Sequence, residues 1–98
     1  MNHAVASCFR ALGDPVRLTL VDALRSGERT VSELVGATGA GQANVSKHLQ
    51  VLHAAGIVRR RRRGLFTCYR LAGADVALVC DVMARHVAQA AALEPTAT

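Results

Sequence analysis

Residues 30–54 read TVSELVGATGAGQANVSKHLQVLHA, and the fold turns on how this stretch divides. Thr30-Val31-Ser32-Glu33 has the form of a capping box. A threonine hydroxyl serves the backbone N–H three residues on, and a glutamate reaches back to the threonine's own N–H. This predicts a helix over about 31–38. Gly39-Ala40-Gly41 supplies a turn. After it, Val45, Leu49 and Leu52 recur at i, i+4 and i+7 as the inward stripe of a second helix over about 42–54. A short capped helix, a glycine turn and a helix with one polar face make a helix-turn-helix.

Working outward, Val5, Cys8, Phe9 and Leu12 follow helical spacing and predict a first helix over about 4–12. Gly13 breaks it, Asp14 caps the next helix and Pro15 takes its first position. That helix turns Leu20, Val21 and Leu24 inward and stops near Ser26-Gly27. Downstream, Gly56 ends the 42–54 helix in a left-handed turn. Ile57-Val58, five arginines, Gly64 and Leu65–Leu71 then read as a β-hairpin around an Arg-Gly turn. A last helix runs from Gly73 to about Ala92, with Val76, Val79, Cys80, Met83 and Val87 on one stripe. The fold class is therefore mainly α with a small β-hairpin wing, in α-α-α-α-β-β-α order. That is a winged helix-turn-helix, one domain over 1–98 with a disordered tail at about 94–98.

The chain has 98 residues, 51% of them hydrophobic, and a net charge of +5, so intrinsic disorder is excluded for the chain as a whole. By sequence no apolar run approaches the roughly 18 residues of a membrane span, and no membrane partner is expected. Three unpaired cysteines without a CxxC pattern argue against a secreted disulfide scaffold and for a cytoplasmic setting. Charge is unevenly placed. Between Glu33 and Asp75 there are seven basic residues and no acid, so that segment carries +7, and the remainder, with five basic and seven acidic residues, carries −2. Such a segment suits a polyanion. Only Phe9, Phe66 and Tyr69 are aromatic, which leaves little for stacking on single strands and favours duplex DNA.

On the 42–54 helix, 100° per residue sets Lys47 almost opposite the apolar stripe, with Ala43, Asn44, Ser46 and Gln50 on the same outer side. Gln42 sits at the amino end, where free N–H groups favour a phosphate. Asn and Gln can read an adenine edge, Ser and Lys suit phosphate or guanine, and Ala43 can touch a thymine methyl. In the wing, Arg59, Arg60, Arg61, Arg62 and Arg63 alternate between two strand faces, so two or three of them can meet one duplex. The last helix holds eight alanines between Ala72 and Ala92. They invite another helix close, and its Val/Met stripe calls for a partner subunit. Asp81 and Arg85, at i and i+4, read as a helix-surface ion pair.

Several segments together resemble the ArsR/SmtB family of bacterial repressors. They are Leu12-Gly13-Asp14-Pro15-Val16-Arg17-Leu18, Thr30-Val31-Ser32-Glu33-Leu34, Gln42-Ala43-Asn44-Val45-Ser46-Lys47-His48-Leu49 with Leu52, and Ala55-Gly56-Ile57-Val58 running into an arginine-rich wing that ends Tyr69-Arg70-Leu71. The resemblance covers roughly residues 4–90. It implies a homodimer built through the first and last helices, bound to double-stranded inverted-repeat operator DNA and released by an effector. It also extends the DNA-reading role to Gln42, Asn44, Ser46, Lys47 and His48. One departure is Gly41, where a capping serine is common; glycine caps at little cost.

The family's metal sites are not carried over. No paired cysteines open the 31–38 helix, and Ala77 and Ala88 stand where the zinc-type site on the last helix would place histidines. Cys8 and Cys80, with Cys68 as a third, are the remaining candidates for a thiophilic inducer such as As(III), Hg(II) or Cd(II), or for an oxidant. Each also reads as a small buried hydrophobe. Three functional readings stand: a repressor with thiol sensing, a DNA-binding regulator without it, and a protein-interaction winged helix with an incidental basic face. An enzyme is not expected, for no nucleophile–base pair or phosphate-cradling loop is evident.

Overall fold

A computed structural model describes residues 2–93; the expected tail at 94–98 lies outside the described residues. The helices are α1 (His3–Leu12), α2 (Pro15–Ala23), α3 (Val31–Thr38), α4 (Gln42–Ala54) and α5 (Ala74–Leu93), with a 3-10 turn at Leu24–Ser26 that prolongs α2 to the expected stop. Three strands accompany them, β1 (Arg29–Thr30), β2 (Val58–Arg63) and β3 (Phe66–Leu71).

The helix starts follow from local chemistry. Asp14 Oδ1 accepts the N–H of Val16 at 2.8 Å and of Arg17 at 3.1 Å, directly ahead of Pro15. Thr30 and Glu33 close the capping box, Glu33 N–H to the Thr30 hydroxyl at 3.2 Å and Thr30 N–H to the Glu33 carboxylate at 2.8 Å. Gly56 has the left-handed φ of +75° expected of it.

Two expectations are corrected in the sheet. It has three strands in the order β1-β3-β2, all antiparallel. The missed strand, β1, pairs Arg29 with Tyr69 and Thr30 with Cys68; two residues are too few to show an alternating pattern. The hairpin turn is also one residue later than read. Arg63 pairs with Phe66, so Gly64 and Leu65 form the tip. Gly64, at φ +60°, occupies the first central position, where a two-residue hairpin loop needs positive φ.

The core lies where α2, α3 and α4 meet the base of the sheet. Leu20, Val21, Leu24, Leu34, Val45, Leu49, Leu52, Ile57, Val58 and Tyr69 are buried there together with Ala11. Each of the inward stripes read from α2 and α4 is in this cluster.

Helix α5 stands apart. It buries no residue, and only Val76 and Cys80 pack against the core edge. The described chain is accordingly extended, 57 × 33 × 22 Å with a radius of gyration of 15.2 Å, against roughly 13 Å for a compact domain of this size. The expectation about membrane spans is corrected as well. α5 is 20 residues long, and its most apolar 18-residue stretch has mean hydropathy 1.4, long and apolar enough by length and composition to cross a bilayer. Its alanines raise the average even though no long run of large apolar residues is present. Asp81 on this helix is not paired with Arg85 as expected. It takes the Arg25 guanidinium at 2.7 and 3.1 Å, and Arg25 also reaches Asp22, so an ion pair fastens α5 to the end of α2.

Candidate nucleic-acid interface

Helix α4 follows the turn Gly39-Ala40-Gly41. Gly41 is its N-cap and offers no side chain to the first turn, so the N–H groups there are free to meet an anion. Gln42, Ala43, Asn44, Lys47 and Gln50 are exposed along one side, and Val45, Leu49 and Leu52 are buried on the other. Ser46 is half-buried. It borders, with Gln42, a hollow of about 300 Å³ whose far walls are Thr30 of β1, Val31 and Ser32 of α3, and Leu65, Phe66 and Thr67 of the wing. The amino end of the reading helix and the wing tip thus share one concavity.

His48 is placed differently from its neighbours. Its side chain is 16% exposed and its Nδ1 lies 3.1 Å from Nη1 of Arg17 and 4.0 Å from Oδ1 of Asp14. It faces the start of α2 rather than open solvent. Helix geometry carries the signal for this, since 100° per residue puts His48 only about 60° from the buried stripe.

All five wing arginines are exposed, but they are not equivalent. Arg61 donates to both oxygens of Glu28, at 2.7 and 3.0 Å, and Arg63 reaches Glu28 at 3.4 Å. The Arg61 guanidinium holds the Glu28 carboxyl below the usual carboxylate range, with a smaller contribution from Arg63. Among the described residues Arg59, Arg60, Arg62 and Lys47 take part in no ion pair. Sequence reading missed Glu28, which lies 33 residues from Arg61 and has no local pattern to announce it.

The cysteines are all free thiols. Cys8 donates its S–H to the Ala55 carbonyl at 3.4 Å. Cys68 is buried in β3 opposite Arg61. Cys80 lines an apolar hollow of about 490 Å³ between α1 and α5, and Cys8 an adjoining one that shares Phe9, Leu12 and Val79. Burial pushes the Cys80 thiol above its ordinary range, against a smaller opposing pull from Arg25. Among the described residues no three His, Cys, Asp or Glu side chains are gathered so as to hold a metal ion.

A short capped helix, a reading helix with an open amino end and an arginine-bearing hairpin beside it define a winged helix-turn-helix of the kind that meets duplex DNA. Comparison with known proteins places it further. The family model for bacterial regulatory proteins of the arsR family matches residues 14–60. The chain is 44% identical over 82 residues to the HTH-type transcriptional repressor SmtB of Mycobacterium tuberculosis, covering 83% of this chain and 61% of that protein. It is 40% identical over 81 residues to the biofilm growth-associated repressor of Xylella fastidiosa, covering 83% and 71% of the two chains. In structure it is similar to a homodimeric winged helix-turn-helix DNA-binding domain from Mycobacterium bovis, a possible ArsR-family transcriptional regulator. That match has a TM-score of 0.78 at 40% identity and covers 86% of this chain and 82% of the other. The chain belongs to the ArsR family. It spans about three fifths of the length of the SmtB repressor it matches.

Proposed function

We propose that this chain is a homodimeric, sequence-specific DNA-binding repressor that occupies promoter DNA in the bacterial cytoplasm. The carrying observation is that one subunit holds both a reading surface and an uncovered apolar face. On the first, Gln42, Asn44 and Lys47 stand exposed beside the wing arginines. On the second, Val5, Phe9, Val79, Val82, Met83 and Val87 are each at least 39% exposed along α1 and α5. Pairing two copies through that face covers it and sets two reading helices at a fixed spacing, which an inverted repeat matches. The M. bovis neighbour is itself homodimeric. The charged residues Asp75, Asp81 and Arg85 on α5, and the anchoring of Asp81 by Arg25, favour this use of the helix over a membrane span.

Selection of duplexes from a random pool by the full chain tests the reading. The expected product is an inverted repeat with half-sites about one helical turn apart, bound with a steep loss of affinity as salt rises. Equal, weak binding to every duplex would instead favour a protein-interaction winged helix.

A second element concerns the effector. Cys8 and Cys80 line adjoining hollows on the face that pairs, so a soft ion or an oxidant acting on them would alter the angle between subunits. Release from the selected duplex by As(III), Hg(II), Cd(II) or an oxidant is expected to disappear in the variant Cys8→Ser/Cys80→Ser. Undiminished release from that variant would remove the thiols from the mechanism.

A further inference from the structure

The arginines of β2 present two surfaces. Alternation along a strand puts Arg59, Arg61 and Arg63 on one face and Arg60 and Arg62 on the other. The register identifies each face. Arg60 lies opposite Tyr69 and Arg62 opposite Thr67, while Arg61 lies opposite Cys68. Tyr69 belongs to the core, and Thr67 borders the hollow shared with Gln42 and Ser46. Phe66, opposite Arg63, and Thr30, opposite Cys68, border the same hollow, so both faces of the hairpin reach the reading helix. What separates the arginines is their partners: among the described residues Arg60 and Arg62 take part in no ion pair.

The other face is already occupied. Glu28, just ahead of β1, reaches across the central strand β3 to grip Arg61 with both carboxylate oxygens and Arg63 with one of them. Its side chain is only 17% exposed. A carboxylate held this way presents to a guanidinium the same pair of anionic oxygens as a DNA phosphate. Opening the pair to let Arg61 meet DNA would leave Glu28 ionised close to a polyanion, where like charges repel. Among the described residues Glu28 has no other cation within ion-pair distance to turn to.

Building on the DNA-binding reading above, we propose that Glu28 divides the wing into a structural and a DNA-contacting half. Glu28 with Arg61 and Arg63 is a brace that fixes the hairpin against β1. Arg60 and Arg62 are the wing residues that neutralise phosphates. Arg59, opposite Arg70 at the base of the strand, belongs to neither set. Glu28 is a positioning residue with a second effect, because it withholds two arginines from indiscriminate contact with DNA.

The test is the salt dependence of binding to a fluorescent 30-base-pair duplex of mixed sequence, using the full chain. Each lost phosphate contact lowers the slope of log K against log salt by about 0.9. Arg60→Gln/Arg62→Gln is expected to reduce the slope by about 2 per subunit and to weaken binding at least about tenfold near 0.1 M salt. Arg61→Gln/Arg63→Gln is expected to leave the slope within about half a unit of the parent while lowering the Tm. The near-isosteric Glu28→Gln frees two arginines, so it should steepen the slope and tighten binding to this duplex. An equal loss of slope in both arginine pairs, or an unchanged slope in Glu28→Gln, overturns the division of the wing while leaving DNA binding intact. Parent protein that shows no salt-dependent binding to any duplex overturns the DNA-binding reading itself, and the division with it.

Discussion

Arg17 ties the end of one helix to the middle of another. Its Nη1 donates to Nδ1 of His48 on the reading helix, 3.1 Å away, while its Nε and Nη2 donate to the carbonyls of Ala11 and Arg10 that close α1. An arginine can only donate, so His48 accepts through an Nδ1 lone pair and carries its proton on Nε2. One half-buried guanidinium thus links the end of α1 to the middle of α4.

Arg17→Met keeps the stem and removes all three bonds. Hydrogen bonds from a charged donor contribute about 1.5–3 kcal/mol each to stability, and groups sharing one donor are not additive. A net loss of about 2 kcal/mol is expected, read as a lower urea midpoint with an unchanged m-value. A midpoint within error of the parent would mean that the link carries no weight.

Acid stability follows from four carboxylates. Asp14 is held below its usual range first by the Arg17 N–H, Glu28 by Arg61, Glu33 by the Thr30 N–H, and Asp81 by Arg25. A folded-state value below the unfolded one means that the unfolded chain takes up protons first on acidification. The stabilisation is therefore complete above about pH 5 and is lost as pH falls through the lowered folded values. Asp14→Asn keeps a capping side chain but no longer titrates. Its melting temperature should fall less steeply between pH 5 and pH 3 than that of the parent, and an identical slope would contradict the assignment.

The pairing face has a direct probe in Met83, which is 53% exposed on the α5 stripe. Met83→Glu puts a carboxylate into the apolar seam on both subunits, where an unpaired charge costs several kcal/mol. Sedimentation should show the dimer dissociation constant raised at least about 100-fold. Ala88→Glu, on the opposite side of the same helix and exposed, adds the same charge and should leave it unchanged. A Met83→Glu protein that remains a dimer at micromolar concentration would place the interface elsewhere.

How much of this was legible beforehand depended on distance along the chain. The stripe Val45, Leu49 and Leu52 and the box Thr30–Glu33 are set by neighbours within seven residues, and both stand in the structure as read. Alternation in the wing was likewise local, and it already implied that five arginines could not act as one. What escaped was long-range. Glu28 finds Arg61 across 33 residues and Arg25 finds Asp81 across 56. Such pairs are chosen by the fold, and charge spacing alone pointed Asp81 to Arg85 instead. The two-residue strand β1 was too short to register, and the inward turn of His48 needed only closer attention to its angle on the helix.

Cys80 joins the pairing face to thiol chemistry, and its environment sets a sign. Burial against Leu12, Val79 and Met83 raises its pKa above the ordinary 9.0, and Arg25 only partly offsets this. The nucleophile is the thiolate, so at pH 7 Cys80 should react with iodoacetamide more slowly than a free cysteine in a short peptide. Its rate should rise with pH as the thiolate fraction grows and reach half its plateau at a higher pH than the peptide does. Soft metal ions displace the same proton, so any binding of Hg(II) or As(III) at this thiol should tighten with rising pH. The proposed pairing of two subunits would cover the same hollow, so Met83→Glu should speed alkylation at Cys80 relative to the parent. A parent protein that alkylates at Cys80 as fast as the peptide at pH 7 would show that the thiol is neither shielded by burial nor covered by a partner.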